Sequence, residues 1–450
     1  MDRLADVAQG LNAGHAEAAR VAIVGGGWAG LACAATLSEA GISVCVFEAA
    51  RQLGGRARRV DIAGHTLDNG QHLLLGAYRE TLRLMRLCRA DPERLLLRRP
   101  LELNYPADNI RLRLPRLPAP LHLAAGLLLA RGMPVVEKWA AVRFIRALQA
   151  CNYRLAEDTS VAELLRRYDQ GNKLLRVLWQ PLCLAALNTA PEHASAQIFA
   201  NVLRDALGGT AENSDLLLPR TDLSRIFPDA AAHFITEHGG EIRLSARVQQ
   251  IERYGQDLVI NGERFAHAVV SSGPQHASNL LRHHDETRAV VAMLDTYRYE
   301  PIATVYLAYP EALQAEFPML GMRGPFGQWI FDRGQLDGQE GIAACVLSAQ
   351  GDWERLDDEK RAATLHGEVQ ETLGRTLPEP RWHRVIRERR ATFSCRPELG
   401  RPATKTGLPG LWLAGDYVCA DYPATLEGAV RSGVAAAHGI LGAITDLPPG

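Results

Sequence analysis

Three glycines, Gly25, Gly27 and Gly30, stand in the spacing G-x-G-x-x-G directly after the apolar run Val21-Ala-Ile-Val24. Each meets a mechanical need: a tight turn, close approach of backbone N–H groups to phosphate, and close packing of a helix on a strand. Trp28 and Ala29 then open a helix whose positive end faces the phosphate. Glu48 follows 23 residues after Gly25. A carboxylate there accepts hydrogen bonds from ribose hydroxyls and repels the extra phosphate of NADP. The chemistry predicted is dinucleotide binding.

Three further groups narrow the dinucleotide to FAD. Leu53-Gly-Gly-Arg-Ala-Arg58 brings paired glycines, Gly55 among them, and Arg56 into a second phosphate-contacting loop. Leu67-Asp-Asn-Gly-Gln-His72, with Gly70 and Gln71, is a small polar turn suited to running along a planar ring. Trp412-Leu-Ala-Gly-Asp416 ends a strand in Gly415 and Asp416, and Pro423-Ala-Thr-Leu-Glu-Gly-Ala-Val-Arg-Ser-Gly433 begins a helix. Asp416 is expected to hold the ribityl–phosphate end. The helix N-terminus near Ala424 and Thr425 aims free N–H groups at the pyrimidine edge of the flavin, stabilising the anion formed on reduction.

These motifs require a βαβ unit, and residues 21–47 read as strand, glycine turn, helix from about Ala29 to Ala40 and second strand, with Gly41 as the helix stop. Residues 81–214 are mostly helical in pattern. Segments 241–252, 257–260 and 265–272 read as a three-stranded meander, with a tight turn at Asn261-Gly262. Strand-like runs recur over 300–350, for example Ala303-Thr-Val-Tyr-Leu-Ala-Tyr309. At 450 residues, 47% hydrophobic and 22% charged, the chain reads as a globular protein of two or three domains. A net charge of −1 with no basic run argues against nucleic acid as a partner.

The eight cysteines are scattered without ligand spacing, so buried reduced thiols and no metal are expected. The first 20 residues lack the apolar core of a signal peptide and read as a frayed tail, which predicts a cytoplasmic location. No stretch reaches the ~18 apolar residues of a membrane span. The apolar run 117–130, flanked by Arg116 and Arg131, reads as a core helix, or as a surface helix that touches the inner face of the membrane or lines an entry for an apolar substrate.

The glycine start, Glu48, LGGRA, Gly-Asp with its EGAxxSG helix and the segment at Val248 resemble the flavin-containing amine oxidase/phytoene desaturase superfamily. Within it, residues 67–78, 112–122, 179–189 and 328–332 are most similar to the hydroxysqualene dehydroxylases. The resemblance implies an α/β fold: a Rossmann-type FAD-binding domain (20–80, 215–290 and 383–440) with an interleaved α+β substrate domain (81–214 and 291–382). It implies that Val248 contacts adenine through its backbone. It implies reductive removal of a hydroxyl from a lipophilic isoprenoid, by ionisation of an allylic C–O bond with a proton donor and then hydride delivery. His72 is the first candidate donor; Tyr306, Tyr422 and Glu427 are others. Leu/Ala/Trp-rich segments around 117–145 and 178–187 are expected to line the apolar pocket.

Three alternatives share the scaffold. A carotenoid-type desaturase or isomerase uses the same motifs on an apolar substrate. An amine or protoporphyrinogen oxidase is disfavoured because Tyr299–Tyr309 offers no lysine. A non-catalytic prenyl carrier, as in the GDP-dissociation inhibitors, needs no flavin, against which Arg56 and Asp416 argue. No second nucleotide fingerprint marks a reductant for FAD, so the electron donor is left open.

Overall fold

The structure, a computed structural model, describes residues 20–118 and 121–445; the tail expected over the first 20 residues lies, Arg20 aside, outside them. In chain order, β1 (Val21–Val24) passes through the glycine turn into α1 (Trp28–Glu39) and β2 (Val44–Phe47). The hairpin β3 (Arg59–Ile62) and β4 (His65–Asp68) precedes α2 (Arg79–Leu87) and a second hairpin, β5 (Glu102–Tyr105) and β6 (Ile110–Arg113). Helices α3 (Leu121–Leu129), α4 (Val135–Ala150), α5 (Gln180–Leu187) and α6 (Ala196–Leu207) follow. Then come β7 (Glu241–Arg243), β8 (Ile251–Tyr254), β9 (Asp257–Ile260), β10 (Glu263–Phe265) and β11 (His267–Val270). The last elements used below are β12 (Tyr299–Ala308), β13 (Met319–Gly321), β14 (Trp329–Asp332), β15 (Ile342–Ser348), β16 (Trp382–Phe393), β17 (Leu411–Leu413) and α7 (Leu426–Thr445).

Two sheets organise the molecule. A parallel sheet runs in the order β7-β2-β1-β11-β17. Its inner strands β1 and β2 are buried along their whole length, as continuous apolar runs must be when both faces of a sheet are covered. Because β1 pairs with β2 on one side and β11 on the other, the strand order reverses beside the glycine turn, where open α/β sheets bind ligands. An antiparallel sheet runs β13-β14-β15-β12-β16. The fold is α/β with a second, mixed layer, as expected.

Three expectations change. The meander exists, but it is β8-β9-β10. Residues 241–243 pair with β2 instead, and 267–270 with β1. Ala268-Val-Val270 is apolar at every position and buried, which suits a covered parallel strand and not an alternating meander strand. The turn at Asn261 (φ 50) and Gly262 (φ 83) forms as read. Second, residues 81–214 carry the β5–β6 hairpin as well as helices. Third, β16 pairs along β12, so residues 383–393 join the antiparallel sheet and not the FAD-binding layer to which the expected boundary gave them.

The apolar run at 117–130, of which residues 119 and 120 lie outside those described, is part core and part surface. Leu123 and Leu127 of α3 are buried, whereas Leu121, Leu128 and Leu129 are exposed. Gly126 lets α3 press onto the hairpin, since a Cβ there would come 2.4 Å from Leu114 Cδ2. Among the described residues no helix is long and apolar enough to cross a membrane. Six cysteines are buried, Cys419 is half-buried and Cys151 is exposed.

Candidate active site

The carboxyl ends of β1, β2, β11 and β17 open onto one cavity of about 1130 Å³. Gly25 (φ +119) and Gly415 (φ +149) turn the chain there in conformations that side-chain-bearing residues rarely adopt. The turn at Gly27 abuts the second glycine loop: a Cβ on Gly55 would lie 3.2 Å from Gly27 Cα. Gly27 gives α1 no side-chain cap, so the first N–H groups of the helix remain available to an anion. Glu48 is held by Gly26 N–H and Ala50 N–H, each 2.7 Å from one carboxylate oxygen. Its remaining lone pairs can take sugar hydroxyls.

Arg56 donates to Asp416 Oδ2 at 2.7 Å and to Ala391 O at 2.6 Å. Burial, the largest single influence, works against its charge, but Asp416 together with Glu388 and Tyr299 raises the guanidinium pKa overall. The other oxygen, Asp416 Oδ1, is buried with no hydrogen-bond partner among the described residues. An orphaned carboxylate oxygen is costly, and a hydroxyl of a ribityl–phosphate chain would satisfy it. At the start of α7, Thr425 Oγ1 accepts Gly428 N–H at 3.1 Å, a cap that leaves earlier N–H groups to the cavity. The loop 69–72 is pinned beside this end: Gln71 N–H donates to Thr304 Oγ1 at 3.2 Å, and Asn69 Nδ2 to Arg56 O at 3.2 Å. These residues fit FAD.

Of the residues named from sequence, Gly25, Gly27, Trp28, Ala29, Glu48, Gly55, Arg56, Gly70, Gln71, His72, Val248, Gly415, Asp416, Ala424 and Thr425 line this cavity. Gly30 lies behind it. A Cβ there would meet Gly25 O at 2.0 Å, so its role is helix–strand packing and not cofactor contact. His72 Nδ1 is 2.6 Å from Gly70 O, and burial lowers its pKa below the usual histidine value. Tyr422 lines the cavity, and burial raises its pKa. Tyr306 and Glu427 do not line it. The Tyr306 hydroxyl donates to Asp68 O at 2.9 Å. Glu427 accepts from Thr81 N–H at 3.0 Å and Thr81 Oγ1 at 2.7 Å, which caps α2.

The far half of the cavity is apolar. Leu182, Ala185 and Ala186 of α5 line it as expected, but no described residue of 117–145 does. Their place is taken by Leu101 and Leu103, by Phe199, Val202, Leu203, Ala206 and Leu207 of α6, and by Met319, Trp329, Phe331 and Val346. The α6 residues follow helical spacing, and Trp329 and Phe331 share one face of β14. Both signals were in the sequence, but they mark any buried face and so did not single out a cavity. Segments 101–103, 182–207 and 319–346 contribute no charged side chain to the wall. Among the described residues no group of three or more His, Cys, Asp and Glu is placed to hold a metal.

Fold and site together define an FAD-dependent oxidoreductase. The chain belongs to the flavin containing amine oxidoreductase family, whose family model matches residues 28–441. It is 29% identical to a hydroxysqualene dehydroxylase of Sinorhizobium fredii, over 93% of this chain and 97% of that protein. It is 30% identical to a hydroxysqualene dehydroxylase of Rhodopseudomonas palustris, over 94% of this chain and 98% of the other. A putrescine oxidase variant redesigned in cofactor binding shares the fold, with a TM-score of 0.73 at 17% identity, covering 94% of this chain and 99% of its own.

Proposed function

We propose that this enzyme reductively removes the hydroxyl of hydroxysqualene to give squalene, a step of isoprenoid and hopanoid biosynthesis. The observation that carries the reading is the single cavity in which the FAD motifs face a wall without charged side chains. A long hydrocarbon has no charge to grip, so apolar burial must supply its affinity. Similarity to two hydroxysqualene dehydroxylases supports the same assignment.

In the net reaction a C–O bond breaks, the hydroxyl leaves as water with one added proton, and a C–H bond forms with a hydride. Reduced FAD, when bound, supplies that hydride. The chain's own residues do the rest. Phe199, Trp329 and Phe331 wall the site, excluding water from an allylic cation and offering it aromatic faces. His72 is the proposed proton donor. Its Nδ1 is engaged by Gly70 O, which leaves Nε2 for transfer. Because burial lowers its pKa, the protonated ring is lost as pH rises through a value below the ordinary ~6.5. The rate is therefore expected to fall over that acidic window and to lose this dependence in His72→Ala. A His72→Ala enzyme that keeps FAD, full dehydroxylation and the same pH profile removes His72 from the mechanism.

The reaction itself is tested by anaerobic mixing of dithionite-reduced enzyme with hydroxysqualene, phytoene and a panel of simple amines. Squalene formation with return of the oxidised flavin spectrum is expected for hydroxysqualene alone. Absence of reoxidation by hydroxysqualene overturns the reading.

A further inference from the structure

Seven of the ten most exposed large apolar side chains among the described residues lie between residues 117 and 139. Leu129 of α3 and Val136 of α4 are each 73% exposed, and Leu121 of α3 and Val135 and Trp139 of α4 are exposed as well. Residues 111–146 carry seven arginines and lysines against one acid, in a chain of net charge −1. That acid, Glu137, turns inward, where Oε2 accepts Leu174 N–H at 2.6 Å. At the foot of the apolar ridge, Arg111, Arg113, Arg116 and Arg131 line an open pocket of about 520 Å³, with Leu129 on its rim. Arg111 and Arg113 have a carboxylate partner in Glu102, Arg111 a second in Glu316, and Arg116 one in Asp215. Arg131 has none among the described residues.

We propose that this face docks on an anionic phospholipid bilayer, with α3 and the start of α4 entering the acyl–headgroup boundary and the arginine pocket taking lipid phosphate. An exposed apolar ridge is costly in water, and apolar burial with adjoining cationic charge is the combination that holds a helix in the interface of an anionic membrane. A protein partner would have to match a ridge and a fourfold arginine pocket together; an anionic bilayer matches both by its layering. The face also adjoins the active site. Leu101 and Leu103 line the large cavity, and Leu114, joined to Leu101 by a 3.0 Å backbone hydrogen bond, packs under α3 at Gly126. One hairpin thus separates the membrane-facing helix from the apolar cavity. The docking does not depend on which lipid is reduced.

The test is co-sedimentation of FAD-loaded enzyme with phosphatidylcholine vesicles containing or lacking phosphatidylglycerol. Binding to the anionic vesicles is expected, weakened at high salt as the Debye length shrinks from about 10 Å at 0.1 M to about 3 Å at 1 M. The variant Arg113→Gln/Arg131→Gln is expected to lose anionic binding by roughly 25-fold, at about five-fold per charge. Leu129→Asp/Val136→Asp is expected to lose binding to both vesicle types. Both should retain the flavin spectrum and turnover of detergent-dispersed substrate. Failure of the wild type to sediment with either vesicle overturns the proposal. So does a dimer in solution that Leu129→Asp/Val136→Asp dissociates, which would assign the face to a second copy of the chain. Equal binding by all three proteins overturns it too.

Discussion

Asp68 and Arg333 are both almost wholly buried and meet at 3.0 Å, 265 positions apart in the chain. Asp68 also accepts Leu223 N–H at 2.8 Å, and the same Arg333 nitrogen reaches Gln71 Oε1 at 3.2 Å. One guanidinium thereby anchors the 69–72 loop of the cavity wall. Burial outweighs the attraction of Arg333 and pushes the Asp68 carboxyl up to about 6. Between about 4, where an unfolded aspartate releases its proton, and about 6, the folded state holds a proton that the unfolded chain has lost. Rising pH therefore removes stability over that window. Urea midpoints measured from pH 4 to pH 7 should show this decline, and Asp68→Asn should flatten it. Arg333→Leu leaves Asp68 and the neighbouring Asp337 as uncompensated buried acids. A loss of about 3–5 kcal/mol in chemical denaturation is expected, partly recovered by adding Asp68→Asn. A loss below about 1 kcal/mol would show that water reaches the pair.

At the scale of elements, the crossing of α7 over α1 fixes the N-terminus of α1 at the cavity, the end proposed to face the cofactor phosphate. A Cβ on Gly433 would lie 2.1 Å from Ala29 O. Gly433→Ala must spread the two helices, at about 1–3 kcal/mol. A lower thermal midpoint together with faster FAD loss on dialysis is expected; a lower midpoint with unchanged retention would separate the crossing from the site. The N-terminus of α2 depends on Glu427, wholly buried and paired with Arg431 at 2.8 Å. Glu427→Gln removes a charged acceptor from two backbone N–H groups, so a loss of about 1–3 kcal/mol is expected. Turnover per bound FAD should stay unchanged. A large fall in that ratio would restore Glu427 as a catalytic candidate.

Across the whole molecule, the cavity wall runs from Gly25 through Val248 to Thr425, so a ligand filling it would tie together segments distant in sequence. Bound FAD should stabilise the enzyme by mass action, by about 2.7 kcal/mol when free FAD stands 100-fold above its dissociation constant. Titrating FAD into the apoprotein while following the thermal midpoint checks this; a midpoint independent of FAD concentration contradicts it.

Glycines at positive φ, a carboxylate closing the second strand and a Gly-Asp before a helix are local requirements of backbone geometry and charge. They were legible in order along the chain, and with them FAD as the cofactor and the β1–α1–β2 unit, whereas the flanking strands β7 and β11 read as part of a meander. Apolar spacing carries no such label. It reads the same for a core, a cavity wall and an exposed ridge, which is why 117–145 looked like pocket lining and instead divides between core and exposed surface away from the cavity, while Trp329 and Phe331 took the wall. Tyr306 and Glu427 looked free to donate protons until distant partners, Asp68 and Thr81, were folded against them. Residue types and short spacings determined the cofactor. Which apolar face meets substrate, and which acid or hydroxyl is already spent on structure, was decided only in three dimensions, because burial and hydrogen-bond pairing depend on segments the local sequence does not contain.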